Sequence, residues 1–390
     1  MLVVKERWPD RGGGELATRL ILRLLKDSFD IVVLTGEREE GEPGIRHIYH
    51  PALGRGDRHE LWPLMGLADL SSYIRAADVI YIPRYAYPVI PLAKKLGKRV
   101  VVHLHGYAPV SYTSVVYAPY ELERGRIARR DVAAECRKGP LPCLAAGLTW
   151  WMPRLVRKWL ALADAVICVS KRHASIVAAE APELRGKIRV VYNPPPPEAV
   201  EKRPADLPTF IYTGGGEAIK GFHIAAKAAK TLGESGIKAV LYLTGRYGRR
   251  EAQLIAAISA RYPNLRLELL GYIPRRELVA LHGRAWARLV PSIWEETFSY
   301  AVVESALWET LPIASAVGAI PEMLEGTPAE RLVGPPQEIP RRALEIAKTG
   351  LDEIRDVAAR TKEAVRVKLD ERAIKAVSYT HLTLPTSDLV

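Results

Sequence analysis

Two carboxylates with seven residues between them, Glu296 and Glu304, lie in the segment PSIWEETFSYAVVESALWETLPIASAVGAIPE, Pro291 to Glu322. The apolar run Ala287–Val290 reads as a strand that ends at Pro291-Ser292. Glu296 then falls in a loop, and Phe298-Ser299-Tyr300 open a helix that carries Glu304. With the helix starting near Ser299, Glu304 lies ~7.5 Å along its axis. Backbone N–H groups and the helix dipole between the two carboxylates make an anion site. The arrangement suits a ligand with two polyols joined by a diphosphate. Each carboxylate accepts hydroxyl hydrogen bonds from one ring, and the helix opening holds the phosphates. Taken alone, the pair reads as two ordinary surface carboxylates; the flanking pattern gives it weight.

A second element is Tyr212-Thr213-Gly214-Gly215-Gly216-Glu217-Ala218-Ile219-Lys220-Gly221. A strand runs into three glycines, which let backbone approach a phosphate closely. Lys220 then offers a point charge before the next helix. The bland alternative is a tight left-handed turn with a solvated lysine. A third element, Arg11-Gly12-Gly13-Gly14-Glu15, separates the first strand from the first helix. It lacks the G-x-G-x-x-G spacing of a dinucleotide-binding turn, which argues against NAD or FAD. In a fourth, His103-Leu104-His105-Gly106, strand alternation puts both histidines on one face. His103 reads as a buried, satisfied histidine and His105 as the one at the strand end.

The elements that must position these groups alternate along the chain. Apolar strand runs occur at Leu2–Val4, Asp30–Thr35, Asp78–Ile82, Arg99–His105, Ala165–Ser170 and Ile188–Tyr192, mostly with helical patterns between them. Alternating strands and helices imply a parallel sheet covered on both faces. Four prolines, Pro194 to Pro197, cannot sit in a helix or central strand and mark a stiff linker over 193–208. The alternation restarts at Phe210–Thr213, Ala239–Thr244, Leu265–Leu270, Ala287–Val290 and Leu311–Ala314, with a weak Arg331–Val333. The expected organisation is an α/β protein of two Rossmann-like β/α/β domains, 1–192 and 209–354. They face across a cleft with ligands at the carboxyl ends of the strands. A charged helix or helix pair over Leu351–Ala376 closes the chain, and its part near 355–376 is expected to pack back on the first domain.

With these residues in view, the chain resembles the retaining glycosyltransferases of the GT-B fold, of the family 4 (group 1) type. The resemblance runs from about residue 9 to residue 325. It implies that Glu296 contacts the transferred sugar and Glu304 the nucleotide ribose. Lys220 would neutralise the donor diphosphate beside Gly214 and Gly215, and Phe298, Ser299 and Tyr300 would hold it at the helix start. Gly13 and Gly14 would lie near the donor phosphates, and His105 would touch the transferred sugar. Gly271-Tyr272-Ile273-Pro274 would bring backbone at Ile273 near the nucleobase. Two departures stand out: Gly215 occupies the family's arginine position, and Glu309 stands near a common glycine. The resemblance also implies an acceptor side in the first domain, a glycan or lipid-linked acceptor, retention of the anomeric configuration, and no cofactor or metal. The alternatives are another GT-B enzyme such as a nucleotide-sugar epimerase, and a non-catalytic sugar-nucleotide or polyanion-binding protein.

Composition bounds the rest. At 48% hydrophobic and 26% charged, the 390-residue chain is globular and neither disordered nor collagen-like. No apolar run reaches the ~20 residues of a membrane span, and the N-terminus shows no secretory signal. A cytoplasmic protein is expected, with attachment to the inner face of the membrane as the alternative. The sequence has no zinc spacing, no HExxH, no G-x-S-x-G elbow and no Walker A loop. A net charge of +12 favours anionic partners. Only two Asn and two Gln occur, a depletion expected of a thermophile. Residues 121–160 combine nine Lys and Arg, from Arg124 to Lys158, with Trp150, Trp151 and Trp159. They read equally as a membrane-interface element and as helices packed in the first domain. Nucleic acid is not expected, because no recognised module accompanies the charge. Cys136 and Cys143 are expected as free thiols, with pairing as the alternative. Residues 377–390, VSYTHLTLPTSDLV, are expected to be a non-native tail, since Val377 to Thr386 resemble a translated sequencing adapter.

Overall fold

The computed structural model of the chain describes residues 1–6, 12–38, 41–55 and 69–383. The chain divides into two compact units. Unit 1 comprises Met1–Val116, Tyr120–Pro194 and Asp370–Val390; unit 2 comprises Tyr117–Pro119 and Pro195–Leu369.

Among the described residues, unit 1 is built on seven parallel strands: β1 (Leu2–Lys5), β2 (Val32–Thr35), β3 (Arg46–Tyr49), β4 (Val79–Ile82), β5 (Arg99–Leu104), β6 (Ala165–Cys168) and β7 (Ile188–Val190). Their order in the sheet is β3-β2-β1-β4-β5-β6-β7. β1, β4 and β6 are buried along their whole length, as strands covered on both faces must be. Unit 2 carries β8 (Thr209–Tyr212), β9 (Ala239–Thr244), β10 (Leu265–Gly271), β11 (Ala287–Val290), β12 (Leu311–Ser315) and β13 (Val333–Gly334). These too are parallel, in the order β10-β9-β8-β11-β12-β13. Strand order reverses between β1 and β4 in unit 1, and between β8 and β11 in unit 2. Loops leaving adjacent strands in opposite directions open a crevice at such a point. The Gly214–Gly216 loop follows β8 and the Glu296 loop follows β11, so both border the crevice of unit 2.

Several expectations change. β3 was not expected: its sequence RHIY has no apolar run, because it is a partly exposed edge strand. The weak Arg331–Val333 run is mostly a 3-10 turn, with β13 only two residues long. The unit boundary falls between Pro194 and Pro195, within the expected linker. Beyond it, Lys202 Nζ donates to His282 O (2.7 Å), Ala285 O (2.7 Å) and Thr310 Oγ1 (3.0 Å), which fastens this stretch to unit 2. Burial draws the Lys202 ammonium down to a pKa of about 7. The C-terminal pattern resolves into two helices. Leu351–Lys368 stays with unit 2, and Glu371–Thr383 belongs to unit 1. The second helix continues into the segment set aside as a tail, and Tyr379 packs against Phe29 with ring centroids 5.5 Å apart.

Cys136 and Cys143, expected as free thiols, form a disulfide. Helix Ile127–Cys136 ends in a turn at Gly139 (φ 139°) before helix Pro140–Thr149, and this turn brings the two Cα atoms to 3.9 Å. The Trp-rich region holds two helices that differ in burial. Met152–Leu160 buries Met152, Pro153, Val156 and Leu160 like a core helix, whereas Pro140–Thr149 buries only Ala146. Among the described residues, no helix is long and apolar enough to cross a membrane.

Candidate active site

In unit 2 the loop after β8 is shaped by its glycines. Gly215 has φ 58°, and a Cβ there would lie 2.7 Å from Arg246 O. Its N–H donates to Thr244 O (3.2 Å), and the Gly216 N–H donates to Arg246 O (2.8 Å). An arginine at 215 is therefore incompatible with this backbone. A 3-10 turn, Ala218–Lys220, follows. Gly221 (φ 76°) then passes so close to Pro291 that a Cβ would run into Pro291 O.

That close approach joins the β8 loop to the β11 loop. Lys220 Nζ donates to Glu296 Oε1 at 2.9 Å. Ser292 Oγ (2.7 Å) and Trp294 Nε1 (2.9 Å) donate to the same oxygen. The Lys220 ammonium also lies 5.0 Å from the centroid of the Trp294 ring, a cation–π distance. The main chain of Glu296 is held by Ala319 N, which donates to Glu296 O (2.8 Å), while Gly318 N donates to Glu295 Oε2 (3.0 Å).

The helix carrying Glu304 spans Tyr300–Leu307. Ser299, immediately before it, is left-handed (φ 65°, ψ 76°), and its side chain does not cap the helix. Its Oγ is buried without a hydrogen-bond partner among the described residues. A buried hydroxyl without a partner carries a desolvation cost that a ligand can remove. Phe298 is buried beside Tyr300, with ring centroids 5.2 Å apart.

Glu304 is buried between two arginines. Arg275 Nη1 donates to its Oε1 (2.8 Å), and Arg288 Nη1 donates to its Oε2 (3.0 Å). Arg275 also forks onto Glu198. Burial opposes the Arg275 charge, but Glu198 and Glu304 outweigh it and raise its pKa. Arg288 is fully enclosed, and burial lowers its pKa despite Glu304. Sequence reasoning missed both arginines. Arg288 did carry a signal: a charge inside the apolar strand Ala287–Val290 needs a buried partner. Ile273 is half-buried just past β10, the edge strand, two strands from β8 and so ~10 Å away in the sheet.

In unit 1, Gly13 and Gly14 open the helix Gly13–Leu25 in ordinary backbone conformations; Arg11 lies outside the described residues. What favours a glycine is contact, since a Cβ on Gly14 would sit a tight 3.1 Å from His105 Cβ. Arg84, after β4, pairs with Glu15 on the helix and with Glu6 after β1 (3.4 Å), locking the switch-point loops together. His103 and His105 stack at 4.5 Å between centroids, and the Tyr81 hydroxyl lies 2.7 Å from His103 Nδ1. Burial, reinforced by His173, draws His103 down to about 3. Burial and then the neighbouring His103 and Lys5 hold His105 well below the usual imidazole range. Both rings are neutral at physiological pH. Among the described residues, no three His, Cys, Asp or Glu side chains are grouped to hold a metal ion.

Two Rossmann-like parallel sheets, each with loops at its strand-order reversal, are the architecture of the GT-B fold. The family described as Glycosyltransferase Family 4 matches residues 11–198, and Glycosyl transferases group 1 matches residues 196–366. The chain belongs to these group 1, family 4 glycosyltransferases. Sucrose-phosphate synthase from Thermosynechococcus elongatus has a similar fold, with TM-score 0.70 and 18% identity over 97% of each chain. So has Anabaena HepE in complex with UDP-glucose, with TM-score 0.69 and 16% identity over 98% of this chain and 99% of that one. WaaG, a glycosyltransferase involved in lipopolysaccharide biosynthesis, gives TM-score 0.65 and 13% identity over 98% and 100%. No curated protein matches the chain.

Proposed function

We propose that this enzyme transfers a sugar from a nucleotide-sugar donor to a glycan or lipid-linked hydroxyl acceptor, with retention at the anomeric carbon and without a metal cofactor. The observation that carries the reading is the contact of Lys220 with Glu296 where the loops after β8 and β11 meet, with the unpartnered Ser299 hydroxyl three residues further along the same loop. Anionic leaving groups are stabilised by preorganised donors aimed at the developing charge. Lys220, the Ser299 hydroxyl and the uncapped start of helix Tyr300–Leu307 are such donors for a departing nucleoside diphosphate. Glu296 spends Oε1 on three protein donors, and its Oε2, used in none of those bonds, accepts from a sugar hydroxyl. Each carboxylate oxygen has two acceptor positions, so Glu304 can take a ribose hydroxyl in addition to its arginines. Backbone at Ile273 borders the base. The neutral His105 ring serves as a hydrogen-bonding partner of the sugar rather than as a cation. The lipid-linked form of the acceptor places the enzyme at a membrane surface.

UDP-hexoses are the first donors to try, because HepE was captured with UDP-glucose. A ligand that binds the folded state raises its melting temperature. A thermal-shift series over UDP-, GDP- and ADP-sugars is expected to single out one base, and NMR of the product is expected to show the donor's anomeric configuration. An inverted centre overturns the retaining mechanism. An epimeric nucleotide-sugar formed without acceptor replaces transfer by epimerisation.

A further inference from the structure

Helix Pro140–Thr149 turns its apolar side away from its own protein. Leu141, Leu144 and Leu148 are 78%, 61% and 66% exposed, and their spacing of three and four places them on one side of the helix. Trp150 and Trp151 follow at its end, both exposed. Trp151 Nε1 donates to Leu148 O (2.9 Å), so its indole N–H is satisfied and its ring remains apolar. Leaving three leucines in water on a ten-residue helix forgoes burial worth ~1.5–3 kcal/mol each.

The surroundings are one-signed. From Cys136 to Ala163 there is no Asp or Glu, and five basic residues occur. Arg157 turns inward to Glu180 O and Glu183. Lys138 pairs with Glu135, just outside the stretch, while Arg137, Arg154 and Lys158 are exposed. The Arg154 guanidinium lies over the Trp150 ring at 4.7 Å. The Cys136–Cys143 disulfide ties the start of the apolar helix to the end of the preceding basic one.

We infer that this face docks on an anionic lipid bilayer. Leu141, Leu144, Leu148 and Trp151 enter the acyl boundary, and Arg137, Lys138, Arg154 and Lys158 lie at headgroup level. Interfacial helices combine an apolar stripe, tryptophan and a basic rim in this way. A second copy is disfavoured as occupant, since it would set this basic rim of four residues against another like it. Nucleic acid is disfavoured because the most exposed groups are leucines. The surface follows from its own geometry, while its use in delivering a lipid-linked acceptor rests on the function proposed above.

The test is sedimentation of the full chain with vesicles. Binding to phosphatidylcholine–phosphatidylglycerol vesicles is expected to exceed binding to pure phosphatidylcholine by at least ~10-fold, at ~1 kcal/mol per basic residue near the surface. The double variant Leu144→Glu, Leu148→Glu is expected to lose ~10-fold or more, at ~1.5–3 kcal/mol per buried leucine side chain, with melting temperature and donor-induced thermal shift unchanged. Leu144→Ser, a milder change on the same face, serves if the double variant misfolds. Arg154→Glu with Lys158→Glu is expected to weaken binding at low salt by a similar factor. Wild-type binding by the leucine variants overturns the proposal, as does equal binding to neutral vesicles. So does retention of single-stranded RNA in place of vesicles, or self-association that the leucine variants abolish without any vesicle binding. Vesicle binding without sugar transfer would sink the proposed activity and leave this surface standing; transfer to a soluble glycan without vesicle binding would do the reverse.

Discussion

Lys220 Nζ and Glu296 Oε1 are 2.9 Å apart although 76 positions separate them in the chain. The pair exists because β8 and β11 are neighbours in the sheet, and their loops touch at Gly221 and Pro291. The carboxylate is buried, whereas about a third of the lysine side chain remains accessible. The ammonium is thus held in place by one anion with room for a second.

Replacing that ammonium tests its part in the chemistry. Lys220→Ala is expected to lower kcat by ~10²–10³-fold, the range for losing one preorganised donor to a developing anion. The acceptor KM should change far less, because the charge matters most as the diphosphate departs. Steady-state kinetics with both substrates varied separates the two. An unchanged kcat removes Lys220 from the mechanism.

Glu304 has a structural burden as well as the ribose contact proposed for it. Glu304→Ala strands Arg288 in the interior and is expected to cost ~3–5 kcal/mol in urea unfolding. Donor affinity, measured by calorimetry on folded protein, should fall ~10–100-fold with the lost charged acceptor. Adding Arg288→Leu is expected to recover much of the stability and none of the affinity. Recovery of both would mean that Glu304 serves only the arginines.

The buried histidines set the acid limit of unit 1. Burial draws His103 to about 3, and burial, partly opposed by the Gly106 carbonyl, draws His173 to about 4. Unfolded histidine titrates near 6.5. Below that pH the unfolded chain binds protons that these folded rings refuse, so stability is full above ~6.5 and is lost as pH falls. Each ring should steepen the decline by ~1.4 kcal/mol per pH unit, down to its own folded value. Urea midpoints across this range should flatten for His173→Gln. An unchanged slope means that the ring is already charged in the folded state.

Glu309 provides a backbone test. It has φ 51° just beyond helix Tyr300–Leu307, where the family resemblance led one to expect a glycine nearby. A left-handed non-glycine residue costs ~1–2 kcal/mol. The partly exposed Lys362–Glu309 pair (2.7 Å) returns no more than ~1 kcal/mol. Glu309→Gly is therefore expected to leave stability unchanged or raise it by up to ~1 kcal/mol, whereas Glu309→Val should lower it by ~1–2 kcal/mol. Thermal melts of the two variants should move apart; equal melts would mean that the backbone there carries no strain.

Apolar runs such as Val79–Ile82 and Ala165–Cys168 revealed the parallel sheets, because strands buried on both faces need nothing else from their side chains. β3 escaped because an edge strand has no such need. The placement of Glu296 and Lys220 in strand-end loops and of Glu304 on a helix was legible because such elements leave a spacing in the chain. Their partners were not: Arg275 reaches Glu198 across 77 positions and Glu304 across 29. Gly215 looked like a lost arginine in one dimension; its φ and its contact with Arg246 are three-dimensional facts. The same holds for the left-handed Ser299, whose residue type predicts an ordinary N-cap.

The glycine contacts of unit 2 have a mechanical meaning. Gly215 abuts Arg246, Gly221 abuts Pro291 and Gly318 abuts Glu296, so loops from β8, β9, β11 and β12 are fastened to one another main chain to main chain. Loops joined in this way cannot open singly. Their amides should exchange with solvent deuterium as one cooperative block rather than one loop at a time. Divergence of donor preference within such a framework must proceed by changing side chains, because the backbone has no slack to redraw the pocket.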